Sequence, residues 1–214
     1  VAAETTSATN MGILAAMVPL LTVLLSALIL REAPSLGGTV GGLVALFGVL
    51  VLLGRGDPLS LLELEVALGD LLMVVAATCY ALYGVMLKRW PLDLPPWVLL
   101  YAQVVFAVLF LLPPYLMGPM TPVDSQNVWL ILYAGIPASI VTTFLWMRAI
   151  RQIGASQASI FINLMPLFSA LIAMAFLGER ISSFHFIGGT LVLAGVIMAQ
   201  TLTQPLVRRA TRSQ

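Results

Sequence analysis

The sequence predicts an all-α fold, a polytopic bundle of seven membrane-spanning helices, from its composition, the spacing of its charges and an internal repeat. Of its 214 residues, 60% are hydrophobic and only 9% are charged, whereas a soluble domain carries about 25% charged residues. The ten basic and nine acidic residues leave seven uncharged intervals of 17 residues or more. At about 1.5 Å per residue, such an interval can cross a hydrocarbon core of about 30 Å.

The seven spans are connected by short loops, with one longer connection between the second and the third. That connection, 54–69, contains Asp57-Pro58 and then the weak capping-box pattern Ser60-Leu61-Leu62-Glu63, which predicts a short interfacial helix before the third span. It also marks the boundary between two units. In chain order, the spans are expected at 11–30, 37–53, 70–87, 97–117, 128–147, 156–177 and 184–203.

The basic residues predict the orientation of the spans. Eight of the ten fall in loops on one face, and only Arg55 and Arg180 fall on the other. The positive-inside rule therefore predicts a cytoplasmic C-terminus. Because the chain shows this bias and no organellar targeting segment, we expect a multi-pass protein of the cell membrane, and specifically of a bacterial inner membrane.

Composition also excludes several classes of function. A net charge of +1 with one short basic tail argues against a nucleic-acid surface. The single cysteine, Cys79, and the single histidine, His185, have no neighbouring ligands of the kind that a metal site needs. The spans offer no carboxylate pair, activated nucleophile or histidine with acids. We therefore expect no metal, no cofactor and no enzymatic activity.

An internal repeat is the strongest signal in the sequence. When the chain is shifted by 147 residues, the first span aligns with the sixth and the second with the seventh, without a gap. Equivalent spans five crossings apart face opposite ways through the membrane, which is an inverted-topology repeat, a construction of many secondary transporters. The thirteen identities pair Ala8, Ile13, Pro19, Leu20, Leu24, Leu30, Glu32, Ser35, Gly41, Gly42, Leu46, Gly48 and Val49 with Ala155, Ile160, Pro166, Leu167, Leu171, Leu177, Glu179, Ser182, Gly188, Gly189, Leu193, Gly195 and Val196.

The sixth span carries the main candidates for substrate contact. Ser156, Ser159, Asn163 and Pro166 follow at steps of three and four residues and form one small and polar stripe along a helix. Pro166 and its counterpart Pro19 each release the carbonyl four residues earlier, which predicts a kink in both helices. The first copy lacks the amide of Asn163. That amide either contacts substrate or forms an interhelical hydrogen bond that serves packing.

Other spans offer further cavity candidates with competing structural explanations. Tyr80 in the third span and Thr142 and Trp146 in the fifth could line a cavity for a small organic solute. Equally, a tryptophan near a span end anchors a helix at the interface, and a threonine often bonds its own helix backbone. Gln103, inside the fourth span, should face protein or water because an unpaired amide is costly in lipid.

Two recurring features are best explained by structure. Glu32 and Glu179 end helices that face opposite ways, so we expect them on opposite sides of the membrane in structural roles. Glycines spaced by four and seven residues in the second and seventh spans permit close helix approach, and packing explains them better than ligand binding does.

The chain resembles the drug/metabolite transporter superfamily, and specifically its EamA-type members. The resemblance implies a ten-helix carrier of two five-helix repeats, from which this chain is expected to lack the first three helices, in agreement with a start at Val1. It is carried by the proline-containing helix, by Leu177-Gly178-Glu179-Arg180 with Gly188-Gly189 and Gly195, and by Gly69-Asp70-Leu71-Leu72 through Tyr80-Ala81-Leu82-Tyr83 to Lys88-Arg89.

The expected organisation follows from the resemblance. Residues 1–54 form the end of the first EamA-type repeat, 55–69 a connecting loop, 70–203 the complete second repeat and 204–214 a cytoplasmic tail. We expect a secondary transporter of small metabolites or drugs that works by alternating access, with a small-molecule substrate and the lipid bilayer as partners. The first repeat would be completed by the missing N-terminal helices or by self-association. The alternative is a membrane assembly or structural subunit that transports nothing.

Overall fold

The computed structural model describes residues 8–63, 68–118, 125–177, 182–202 and 204. All regular elements in these ranges are helices. Six are long and apolar enough to cross a membrane, and Gly37–Leu53 is a shorter apolar helix. We number the seven apolar helices α1 (8–30), α2 (Gly37–Leu53), α3 (Leu68–Arg89), α4 (Pro96–Met117), α5 (125–153), α6 (155–177) and α7 (Ser183–Thr201).

The helices coincide with the predicted spans except at a few ends. The fifth was predicted to stop at residue 147, and α5 continues to residue 153. The short helix between α2 and α3 is a 3-10 helix, Pro58–Glu63. It begins two residues before the predicted cap, because Oδ1 of Asp57 accepts a hydrogen bond from the backbone N–H of Leu59 at 3.0 Å. The predicted turn at Glu179 and Arg180 and most of the tail lie outside the described residues.

Both repeat helices are interrupted next to their proline. In α1, the helix stops at Ala16 and resumes at Val18, so that Pro19 occupies the first turn of the second part. In α6, a 3-10 segment, Ile160–Leu164, precedes the α-helix that contains Pro166. Because proline cannot donate a backbone hydrogen bond, the irregular backbone falls at corresponding positions of the two helices.

The chain divides into two compact units. Unit 1 comprises residues 1–89 and 153–214 and so contains α1, α2, α3, α6 and α7. Helices of both predicted repeats therefore pack together in unit 1. Unit 2 is Trp90–Gln152 and contains α4 and most of α5. Within unit 2, the guanidinium of Arg151 donates to the carbonyl of Leu94 at 3.1 Å, which ties the end of α5 to the start of α4.

In unit 1, α2 and α7 pack closely where glycines of the two helices meet. A β-carbon built on Gly195 would lie 2.5 Å from the carbonyl oxygen of Gly41, and one built on Gly48 would lie 2.7 Å from that of Gly188. Only glycine permits this approach of two backbones. In the 147-residue alignment, Gly41 corresponds to Gly188 and Gly48 to Gly195. Gly41 of α2 therefore meets Gly195, which is the counterpart of Gly48. Gly48 meets Gly188, which is the counterpart of Gly41.

Among the described residues of unit 1, two apolar clusters join the other helices. The larger joins α1, α2, α6 and α7 around Ala16, Val49, Ile160 and Val192, all of which are buried. The smaller packs Val18 of α1 against Ala77 and Ala81 of α3. The larger cluster packs α6 against α1, α2 and α7. The polar stripe of α6 therefore lies on a helix that is surrounded by these three neighbours.

Candidate functional site

The polar stripe of α6 lies within unit 1 and contains both half-buried and fully buried side chains. Ser156 is half-buried, and its hydroxyl donates to Oγ of Ser26 in α1 at 3.1 Å. Ser159 is 1% exposed, and its hydroxyl donates to the carbonyl of Ser156 at 3.0 Å. Pro166 is half-buried. The structure therefore keeps the four predicted residues on one helix of one unit.

Asn163 is the exceptional member of the stripe. Its side chain is 0% exposed, and within the described residues neither its amide oxygen nor its amide nitrogen has a hydrogen-bond partner. Burying an amide without partners costs about 1–3 kcal/mol, so such groups are rare. The alternative interpretation was an interhelical hydrogen bond that serves packing. The amide of Asn163 forms no such bond within the described part of the chain.

One end of the stripe opens on a polar cavity of about 180 Å³. Ser156 and Gln157 of α6 line it, together with Ser26 at the end of α1. Glu32 and Lys88 also line it and form an ion pair. We call this the polar cavity, and its remaining wall consists of Val23, Ala33, Pro34, Ser35, Ile153 and Gly154.

The Glu32–Lys88 ion pair joins the loop after α1 to the end of α3. The ammonium of Lys88 lies 2.7 Å from Oε1 and 2.9 Å from Oε2 of Glu32, and both side chains are partly exposed. Next to it, the guanidinium of Arg89 donates to the carbonyl of Ile29 at 2.6 Å, and so caps the last turn of α1. The structural role expected for Glu32 agrees with this contact. The sequence alone could not pair two residues that are 56 positions apart.

The other end of the stripe borders a larger, mainly apolar cavity of about 460 Å³. Ile162, Met165, Pro166, Ser169 and Ala170 of α6 form one wall. We call this the apolar cavity. Among the described residues that line it, His185 alone is of an ionisable type, and its Nδ1 accepts the backbone N–H of Ser182 at 3.1 Å. The opposite walls consist of Gly12, Ala15 and Ala16 of α1, Leu52 and Leu53 of α2, and His185 of α7.

A buried carboxylate lies at the start of α3 and was not among the predicted site residues. Asp70 is 8% exposed, and its Oδ2 accepts a hydrogen bond from the side-chain amide of Asn10 at 3.0 Å. Both residues line a further cavity of about 370 Å³ with Leu61 and Leu71. A negative charge is favourable in the first turn of a helix, and Asp70 occupies that turn. No sequence signal links two residues that are 60 positions apart.

The remaining predicted site residues lie on helices other than α6. Gln103 belongs to unit 2, where its amide nitrogen lies 3.4 Å from the sulfur of Met147. Thr142 is exposed, and its hydroxyl donates to the carbonyl of Pro137 at 2.9 Å, so that it bonds its own helix. Trp146 is half-buried in unit 2. Tyr80 belongs to unit 1 but is 42% exposed, with its ring centre 6.4 Å from that of Tyr83.

The described residues contain no group of three or more histidine, cysteine, aspartate or glutamate side chains able to hold a metal ion. The stripe of α6 offers hydrogen bonding from the hydroxyls of Ser156 and Ser159 and from the amide of Asn163, next to the apolar wall of the larger cavity. This combination suits reversible binding of a small organic molecule.

Comparison with known proteins gives a family match over most of the chain. The model of the EamA-like transporter family matches residues 1–54 and 67–201. The chain is 32% identical over 200 residues to the uncharacterized transporter YyaM of Bacillus subtilis (strain 168). It is 28% identical over 161 residues to an uncharacterized transporter of Archaeoglobus fulgidus.

The matches cover different shares of the proteins compared. The alignment with the Bacillus protein covers 91% of this chain and 65% of that protein, and the alignment with the Archaeoglobus protein covers 74% and 55%. The chain thus spans between about half and two thirds of the length of these relatives. A crystal structure of a protein at 24% identity matches with a TM-score of 0.77, over 94% of this chain and 70% of that chain, which supports the fold.

Proposed function

Since the chain belongs to the EamA-like transporter family, we propose that the protein is a secondary transporter that moves small metabolites or drugs across a membrane by alternating access. That it is a multi-pass membrane protein follows from the family and from the apolar helices. The proposal concerns the mechanism and the kind of solute.

The observation that carries the proposal is the reciprocal glycine contact between α2 and α7. Gly41 meets Gly195, and Gly48 meets Gly188. The 147-residue alignment converts the first pair into the second, because it matches Gly41 with Gly188 and Gly48 with Gly195. An interface in which equivalent positions exchange roles is self-complementary, as at a two-fold axis. This supports an inverted repeat, the architecture in which two related units rock about a central site.

The interrupted helices supply the parts that could move. The regular helix is interrupted next to Pro19 in α1 and next to Pro166 in α6, and neither proline can donate to the carbonyl four residues earlier. Such backbone is tolerated at membrane depth where it lines a cavity or is buried in protein. We propose that α1 and α6 change conformation at these breaks, while the glycine contacts keep α2 and α7 together.

The polar and apolar cavities are proposed as the two ends of the pathway. The polar cavity lies at the end of unit 1 that carries Arg31, Lys88 and Arg89, which the distribution of basic residues predicts to be cytoplasmic. The apolar cavity lies towards the opposite end. We propose a bacterial inner membrane and a cytoplasmic C-terminus. No chemical step is proposed, because the known relatives are named as transporters.

Site-directed labelling of the intact protein tests alternating access without knowledge of the substrate. In a Cys79→Ser background, Ser169→Cys reports on the apolar cavity, and Ile197→Cys, 60% exposed on α7, is the matched control. A bifunctional thiol reagent then joins Glu32→Cys to Lys88→Cys and holds the polar cavity closed. We expect faster maleimide labelling at position 169 and unchanged labelling at position 197.

The outcome separates the two candidate functions. Equal labelling of position 169 before and after cross-linking would contradict alternating access. Together with a partner that copurifies in a fixed ratio and no solute movement after reconstitution, it would favour a membrane assembly subunit.

A further inference from the structure

Asn163 differs from the other buried polar side chains of unit 1. Thr22, 2% exposed, donates its hydroxyl to the carbonyl of Val18 at 2.8 Å, and Ser159 donates to the carbonyl of Ser156. Both are satisfied by their own helix. Asn163 offers two N–H donors and a carbonyl acceptor, and it meets none of these needs within the described residues. An amide buried without partners is rare and needs an explanation, and a partner that is gained in another state of the protein supplies one.

The position of Asn163 relates it to both cavities. Ser156, seven residues earlier on α6, lines the polar cavity, and Pro166, three residues later, lines the apolar cavity. At about 1.5 Å per residue, these residues are about 10 Å and 5 Å from Asn163 along the helix. The side chain of Asn163 itself is closed off from solvent. It lines neither cavity and lies on the stretch of α6 between Ser156 and Pro166, nearer the apolar cavity.

The lining of the apolar cavity restricts the chemistry of a ligand. Its described wall contains no aspartate, glutamate, lysine or arginine. A solute with a net charge would lose hydration there without gaining a counter-charge, which is strongly unfavourable. An uncharged solute with an apolar body would fill the cavity without that loss, and about 460 Å³ is within the range of small-molecule sites.

We propose that Asn163 is the recognition residue of the transporter, and that it pairs with the carboxamide or similar uncharged donor-acceptor group of a solute whose apolar body occupies the apolar cavity. The inference rests on the proposed transport function and names the class of its substrate. Ala16, the position that the repeat alignment pairs with Asn163, lines the apolar cavity with a methyl group. Recognition by hydrogen bonding is thus confined to one repeat.

A packing role for Asn163 makes a different prediction about stability. If the amide held helices together, its removal would lower the melting temperature. If the amide is unsatisfied until solute binds, Asn163→Ala removes a buried group without partners and leaves the melting temperature unchanged or higher. Binding and stability therefore separate the two roles.

The experiment measures binding of benzamide and benzoate to the intact protein by calorimetry. The two probes have nearly the same shape and differ in charge. We expect wild-type protein to bind benzamide at least tenfold more tightly than benzoate, and Asn163→Ala to weaken benzamide binding at least tenfold with no loss in melting temperature. Thr22→Val, a buried polar side chain satisfied by its own helix, is the matched control and should bind as wild type does.

Several outcomes would overturn the proposal. These are equal binding of the two probes, no binding of benzamide to wild type, unchanged benzamide binding by Asn163→Ala, or a lower melting temperature of that variant with benzamide binding retained. Failure of the proposed function is detected separately. If position 169 labels equally before and after cross-linking while Asn163→Ala still loses benzamide, the recognition site stands and alternating access falls.

Discussion

Replacing Gly48 by alanine should force α2 and α7 apart. A β-carbon at this position would lie 2.7 Å from both the carbonyl oxygen of Gly188 and the backbone nitrogen of Val192. Ordinary contact begins at about 3.4 Å, so the helices must separate by about 0.7 Å along this direction. Neither contacted atom is on a side chain that can rotate away. Overpacking of this kind costs about 1–3 kcal/mol.

Gly135→Ala is the matched control, because a β-carbon there meets nothing within 4 Å. Alanine is favoured over glycine inside a helix by about 1 kcal/mol, and both variants gain this term. The difference between the two variants therefore isolates the helix contact. At about 2–4 °C per kcal/mol, Gly48→Ala should melt about 2–12 °C below Gly135→Ala.

Thermal unfolding of the detergent-solubilised protein, followed by the fluorescence of its tryptophans, measures this difference. Gly188→Ala should act on the same contact, since its β-carbon would lie 2.8 Å from the carbonyl oxygen of Gly48. Once one alanine has separated the helices, a second costs less, so the double variant should lose less than the sum of the two single losses. If Gly48→Ala melts at or above the temperature of Gly135→Ala, the close contact between α2 and α7 is wrong.

Three further predictions concern the polar contacts of unit 1, each read as a change in melting temperature. Ser182→Ala removes the N-cap of α7 and should cost about 1 kcal/mol. Lys88→Met breaks a half-exposed ion pair with Glu32 and should cost no more than about 1 kcal/mol, with a smaller effect at high salt. Asp70→Ala removes a charged acceptor of the Asn10 amide and should cost about 1.5–3 kcal/mol.

Each of these predictions has a control in the same region. Ser183→Ala, one residue beyond the cap, should change little. Exchanging the two charges, with Glu32→Lys and Lys88→Glu together, should restore most of the loss at that pair. Asp70→Asn keeps an oxygen acceptor and should cost less than Asp70→Ala. If Asp70→Asn and Asp70→Ala lower the melting temperature equally, the hydrogen bond from Asn10 does not account for the stabilising effect of Asp70.

The helices were predictable because hydropathy and charge spacing determine where a chain can cross a membrane. The structure places α2 at Gly37–Leu53, as the charges predicted. The prediction was least accurate at the end of α5. Arg148 predicted that the span ends at residue 147, whereas the helix continues to residue 153. Helical backbone continues past a charged residue when the side chain finds partners outside the apolar region, as Arg151 does with the carbonyls of Leu92 and Leu94.

The candidate site was predictable only where it lies on a single helix. The three- and four-residue spacing of α6 indicated the stripe of Ser156, Ser159 and Asn163 before its burial was known. Contacts between helices carry no such periodicity. The pairing of Glu32 with Lys88 depends on how α1 and α3 pack, so it required the structure.

The glycine contact between α2 and α7 also bears on how the two halves of the sequence can diverge. Because Gly41 meets the counterpart of Gly48 and Gly48 meets the counterpart of Gly41, a larger side chain at any of the four positions strikes the same interface. A larger side chain on α2 is therefore opposed by α7, and one on α7 by α2. Ala16 and Asn163 are under no such mutual constraint, so one copy could acquire an amide while the other kept a methyl group. The contact between α2 and α7 is thus constrained from both helices, whereas positions 16 and 163 can differ.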